Sequence, residues 1–280
     1  MKKIIAAFDG LKFSHSTRDY AILLAKQSSA HLVGIFLDDF TYNSFKVYDL
    51  LKEEGGFSEA KHKRLQQKDD ATRDAAVTNF ETACRKAGLD HSIHRDKSIA
   101  LQELLHESIY ADLLVINSGE TLTHYKEKIP TEFIRDLLSH VQCPVLLVPH
   151  TFRAIDKLIL LYDGEPSSVH AIKMLSYTLP SLKQHPAEVI SVNTAKQSLH
   201  VPDNKLMKEF MKRHFPKAGY KVLKGLAETE IVNYLKDQTG NSLVILGAYQ
   251  RGMVSRWFRV SMADVLMKEL KLPLFIAHNK

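Results

Sequence analysis

Two carboxylates, one hydroxyl and a group of arginines are the side chains of this sequence best suited to holding a ligand. Asp9 and Asp163 each close a short apolar run, and each is followed by glycine. A carboxylate so placed can accept a hydrogen bond from a ribose hydroxyl. It can equally accept backbone N–H groups of the Asp-Gly turn itself. Ser261 opens a predicted helix, where its hydroxyl and the unpaired N–H groups of the first turn favour an anion. Arg251, Arg256 and Arg259 precede it and add positive charge. Acid–base chemistry has no comparable set. There is no Gly-x-Ser-x-Gly elbow, no Cys-x-x-Cys, and no obvious acidic partner for a histidine at helical or strand spacing. His91 and His94 sit three apart in an extended-looking segment, so they face opposite ways, which argues against a metal pair.

The elements that must position these residues occur twice. Ile4-Ile5-Ala6-Ala7-Phe8-Asp9-Gly10 corresponds to Leu158-Ile159-Leu160-Leu161-Tyr162-Asp163-Gly164. Leu113-Leu114-Val115-Ile116 corresponds to Leu243-Val244-Ile245-Leu246, and Cys143-Pro144-Val145-Leu146-Leu147-Val148 to Leu272-Pro273-Leu274-Phe275-Ile276-Ala277. The same landmarks in the same order imply duplication of one fold, with units at 1–150 and 151–280. Strands are predicted at 3–9, 31–37, 91–95, 113–117 and 144–148, with helices at 15–28, 59–87, 99–110 and 131–140. In the second unit strands are predicted at 157–163, 187–193, 220–224, 243–247 and 273–277, with helices at 166–179, 203–217, 227–238 and 261–270. This alternation is α/β: two tandem domains, each a five-stranded parallel sheet with helices on both faces. Such a sheet takes ligands outside the carboxyl ends of its strands, where strand order reverses. Asp9, Asp163, Asn117 and Gly247 sit at those ends.

In these features the chain resembles a tandem universal stress protein. Three places carry the resemblance: the strand ending in Asp plus a small residue, the closing Pro-apolar strand, and the loop after the fourth strand. The nucleotide-binding branch of that family has Gly-x-x-Gly, nine residues, then Gly-Ser or Gly-Thr, and those glycines wrap phosphates. In the second repeat Gly247 matches the first glycine and Ser261 the terminal hydroxyl. Gln250 replaces the second glycine and Val260 the third, with Gly252 two residues beyond. Asp163 and Val192 match the positions that hold the nucleoside. The resemblance thus implies ATP or another adenine nucleotide in the second repeat, with Mg only alongside nucleotide, held by Asp163, Val192, Gly247, Gln250, Arg251, Gly252, Val260 and Ser261. A Cβ at a close-approach position blocks the N–H groups a phosphate needs, so Gln250 and Val260 could instead fill the cleft. In the first repeat Asn117, Glu120, Pro130 and Thr131 take the corresponding places. No motif glycine survives there, Glu120 brings negative charge, and Thr131 reads as a helix cap. The resemblance also implies that 144–148 and 273–277 pair antiparallel, closing the two units into an internal pseudo-dimer and covering two sheet edges. A homodimer of whole chains stays open.

Composition narrows the setting. The net charge is +6, with 38 Lys and Arg spread along 280 residues. Lys61-His62-Lys63-Arg64 is flanked by acids and reads as a solvated helix face rather than a nucleic-acid stripe. Two cysteines in apolar segments, no secretory pattern at the start and no apolar stretch of membrane-spanning length lead us to expect a cytoplasmic protein without membrane contact. Aromatic residues crowd 40–58 of the first repeat only, as a lid or a partner patch would require. Three readings remain: a stress-response protein that binds or senses nucleotide, a ligand-free interaction scaffold with closed clefts, or an enzyme acting on a nucleotide-activated substrate.

Overall fold

The computed structural model describes residues 2–39, 42–45, 58–95, 97–193, 200–247 and 262–277. Its first half runs β1 (Lys3–Asp9), α1 (His15–Ser28), β2 (His31–Asp39), α2 (Glu59–Ala87), β3 (His91–His94), β4 (Lys97–Ser98), α3 (Ala100–Ser108), β5 (Leu113–Asn117), α4 (Glu132–His140) and β6 (Val145–Val148). The second half runs β7 (Lys157–Leu161), α5 (Pro166–Thr178), a 3-10 turn (Pro180–Gln184), β8 (Ala187–Asn193), α6 (Asn204–His214), β9 (Gly219–Lys224), α7 (Ala227–Lys236), β10 (Ser242–Leu246), α8 (Met262–Glu269) and β11 (Leu274–Ile276). Helix starts follow the side chains available: Ser14, Ser58 and Thr131 each accept a backbone N–H of the first turn. Gly88 closes α2 at φ +66°, a conformation glycine adopts without steric cost. The two-residue β4 and the 3-10 turn have no counterpart among the expected elements, and β7 ends two residues before Asp163.

Ten strands form one sheet in the order β3-β2-β1-β5-β6-β11-β10-β7-β8-β9, and β4 pairs separately with β2. Every pairing is parallel within a half. The halves meet through β6 and β11, which pair antiparallel as Leu147↔Leu274, Leu146↔Phe275 and Val145↔Ile276. The expected edge pairing of 144–148 with 273–277 is thus present. Its reversal of direction sends the carboxyl ends of the two halves to opposite edges of the sheet.

Alternation along the strands divides the core into two layers. Ile4, Ala6, Phe8, Leu158, Leu160 and Tyr162 face the layer covered by α1, α2, α5 and α6. Ile5, Ala7, Ile159 and Leu161 face the layer under α3, α4, α7 and α8. Each layer runs unbroken through both halves, as a two-fold axis perpendicular to the sheet requires. Buried polar contacts add to the junction. The Asn241 amide donates to the Tyr20 hydroxyl at 3.1 Å and to the Arg153 carbonyl at 2.9 Å, and Tyr20 packs edge-on against Phe152. Arg135 of α4 meets Asp264 of α8 across the axis at 3.6 Å.

These contacts predict the stability of the junction. Phe275→Ala removes a fully buried ring from the shared pairing and should cost about 3–5 kcal/mol. Tyr20→Phe removes only the hydroxyl and should cost about 1 kcal/mol. Urea denaturation measures both, and equal losses would contradict the ranking.

Candidate functional site

Strand order reverses between β1 and β5 in the first half and between β7 and β10 in the second, so each half has one crevice of the kind that holds ligands in open α/β sheets. In the second crevice Asp163 follows β7. Its Oδ1 accepts the Glu165 N–H at 3.0 Å, which makes the turn described for Asp-Gly sequences. Val192 lies near the carboxyl end of β8 and packs in the same layer as Leu161 and Leu246. Gly247 follows β10. A Cβ built there would lie 2.5 Å from the backbone carbonyl atoms of Ser167, in the first turn of α5. The glycine is therefore required for the close approach of β10 to a helix, whatever a ligand demands. The structure brings Asp163, Val192 and Gly247 to one edge of the sheet; Gln250, Arg251, Gly252, Val260 and Ser261 lie outside the described residues, as do Arg256 and Arg259.

The first crevice is built differently, because side chains of the chain itself occupy it. Asn117 takes the place of Gly247. Its Oδ1 accepts the Gly119 N–H at 2.9 Å and its Nδ2 reaches the Ser14 hydroxyl at 3.4 Å, tying the end of β5 to the cap of α1. Asp9 is buried, and its Oδ1 accepts the Leu11 N–H at 2.7 Å. Its Oδ2 is buried without a well-aligned partner, although the Tyr42 hydroxyl faces the carboxylate. Glu120 is buried beside it and accepts the Thr121 N–H at 3.1 Å. Tyr42 closes the group. Its carbonyl accepts from Arg73 at 2.8 Å, its ring packs against His124, and Lys12 lies 5.3 Å from its centre. Thr131 caps α4 and donates its hydroxyl to the Glu120 carbonyl, so its helix-cap reading holds.

Electrostatics follow from this burial. Desolvation, reinforced by the Asp9 charge, pushes the Glu120 carboxyl up to about 7. Desolvation raises Asp9 as well, against the Leu11 N–H and Lys12, and it raises the Tyr42 hydroxyl. Glu120 therefore does not simply add a negative charge: burial beside Asp9 makes it hold its proton more readily than an ordinary carboxylate. Of the aromatic segment 40–58, Tyr42 covers this crevice. Ser44 is held by Asp69 of α2 and Phe45 packs on His62, while 40–41 and 46–57 lie outside the described residues.

No protein-family model matches the chain, and no curated protein does. Solved structures do. A universal stress protein from Archaeoglobus fulgidus DSM 4304 is similar over 99% of this chain and 98% of that one, at TM-score 0.70 and 11% identity. A putative universal stress protein from Pseudomonas aeruginosa UCBPP-PA14 is similar over 99% and 92%, at TM-score 0.60 and 14% identity. The chain has the universal stress protein fold, in two tandem copies. The cytoplasmic domain of a prokaryotic cation chloride cotransporter is also similar over 99% and 95%, at TM-score 0.54 and 11% identity. Identities this low establish architecture, and one universal stress fold can therefore serve different ends.

Within this universal stress fold, two further groups bear on function. His94 pairs with Glu107, which also binds Lys3 at 2.9 Å, an ion-pair cluster that joins residues distant in sequence. This cluster joins β1, β3 and α3. Cys84 and Cys143 are buried free thiols, pushed up to about 11 and about 12 by desolvation, which fits inert packing. No described helix is long and apolar enough to cross a membrane.

The buried acid predicts a pH effect with a definite sign. The folded-state value of Glu120 lies above its ordinary 4.5, so the folded chain keeps this proton longer than the unfolded chain. Its contribution to stability is full below about 4.5 and is lost as pH rises through about 7. Glu120→Gln should remove that loss and gain on wild type between pH 5 and pH 8. Urea midpoints at the two pH values check it, and parallel curves would contradict the assignment.

Proposed function

We propose that the chain is a cytoplasmic universal stress-type binding protein, and that its second repeat takes an adenine nucleotide, ATP with Mg, while its first repeat takes none. The observation that carries this reading is the asymmetry of the crevices. Tyr42, Glu120 and Asn117 fill the first, whereas Asp163, Val192 and Gly247 frame the second without an equivalent of Asn117. Asp163 and Val192 would hold the nucleoside. Ser261, with Arg251 beside Gly252, would meet the phosphates through a helix start and positive charge. Bound Mg would neutralise phosphate charge and arrives with the nucleotide. The role is binding or sensing, because neither crevice presents an aligned nucleophile and base among the described residues. The closed first crevice favours the scaffold reading for that half alone.

Titration calorimetry with Mg-ATP tests the proposal. One site per chain is expected. Ser261→Ala should weaken it about fivefold, the equivalent of about 1 kcal/mol for one neutral hydrogen bond, and Thr131→Ala should leave it unchanged. Gln250→Gly combined with Val260→Gly should strengthen triphosphate binding by freeing backbone N–H groups. Gly247→Val is no clean probe, since its side chain strikes the backbone of Ser167. Absence of binding in wild type and in the glycine double variant would favour the scaffold reading. Binding lost in Thr131→Ala but kept in Ser261→Ala would place the nucleotide in the wrong half.

A further inference from the structure

The second half carries another cavity, between α5 and α6 beside the Asp163 turn. Tyr162 belongs to the layer under α5 and α6, whereas Leu161 and Val192 belong to the other. The cavity of about 450 Å³ opens beside Tyr162, between α5 and α6. That volume falls among those of small-molecule sites, roughly 300–1,000 Å³. Val169, Met207 and Phe210 form apolar walls, and Leu206 stands at the mouth with two-thirds of its surface exposed. An exposed leucine beside an apolar hollow is surface that a ligand could remove from water.

The polar groups of the cavity are divided between its ends. His170 and Lys173 lie together on α5, and neither has a hydrogen bond or ion pair among the described residues. Lys173 and Lys183 also bear on His214, so positive charge gathers at this end. Asp203, which begins α6 at φ +43° without a side-chain capping bond, lines the other end near Pro166. Lys173 lies seven positions beyond Pro166 on α5, a span of about 10 Å at the helical rise. One anionic group therefore fits beside Lys173 and His170, with an apolar body lying along Val169 and Phe210. A second anionic group at the far end would meet Asp203.

We infer that this cavity binds a monocarboxylate with an apolar body about 10 Å long, such as a medium-length acyl chain, and selects against ligands charged at both ends. Lys173 and His170 receive the carboxylate, the walls of α5 and α6 receive the body, and Asp203 rejects dianions. The cavity shares none of the residues proposed to meet phosphate, although its Tyr162 and Gly164 flank Asp163.

Calorimetric titration of the full chain with decanoate, decanol and decanedioate, all below micelle-forming concentrations, tests this. Decanoate should bind at least fivefold more tightly than the other two. Lys173→Gln should bring decanoate down to the level of decanol and leave decanol itself unchanged. Val169→Trp should fill the cavity and abolish binding of both, in a variant whose urea midpoint shows it folded. Lys268→Gln, on α8 under the other face, controls for general loss of positive charge and should change nothing. No binding of decanoate to the wild-type chain would overturn the inference. So would equal affinity for decanoate and decanol, or a preference that survives Lys173→Gln. If Val169→Trp does not fold, Phe210→Ala serves instead: it should weaken decanoate and decanol together, and an unchanged affinity would overturn the placement.

Discussion

The antiparallel pairing of β6 with β11 is the constraint on which the rest of this molecule depends. Three residue pairs join two parallel half-sheets into one sheet of ten strands. Without it, Val145 to Val148 and Leu274 to Ile276 would be open apolar edges, which invite pairing with other chains. With it, the buried layers on both faces run continuously through the molecule, and Phe275 and Leu146 pack in the same layer as Phe8 and Tyr162. The reversal of direction also fixes where function can sit. The two crevices open at opposite edges, so no single small ligand can touch both. Each half must complete its own site or give it up.

The halves have made different choices at one position. After the fourth strand of the repeat, the second half has Gly247, and the backbone of Ser167 moves in against it. The first half has Asn117, whose amide hydrogen-bonds Ser14 and the backbone of its own turn. Both solutions anchor the strand end to the start of the same repeat's first helix, one by close packing and the other by hydrogen bonds. The first half then completes its closure with Glu120 and Tyr42 around Asp9. Two buried carboxyl groups side by side disfavour joint ionisation, and here desolvation and the Asp9 charge raise Glu120.

Much of the architecture was legible in the sequence because it rests on local pattern. Apolar runs of strand length, Asp-Gly turns and serine caps each express their structure within a few residues, and duplication shows each of them twice. The pairing of the last strands followed from their apolar edges together with the family resemblance. What local pattern could not show lies between distant residues. Tyr42, Glu120 and Asp9 are brought together over more than a hundred positions. His94 finds Glu107, and Asn241 finds Tyr20, only once the sheet has formed. The motif reading of Gly247 as a phosphate glycine missed the packing need that the structure makes plain, since no spacing rule reveals that Ser167 would arrive there. A signal for the closed first crevice did exist: an acid, Glu120, stood at a position where the repeat's counterpart is neutral. The cavity between α5 and α6 had no motif at all, because it arises from the spacing of two helices.

The account's central claim is that the two halves have the same fold and unequal crevices. Amide hydrogen exchange of the full chain with and without Mg-ATP tests it most directly. Slower exchange is expected for the segments that follow β7, β8 and β10, at 163–165, 193–194 and 247–261, with no change at 9–12 and 117–131. Protection in the first half's segments, alone or together with the second, would contradict the claim.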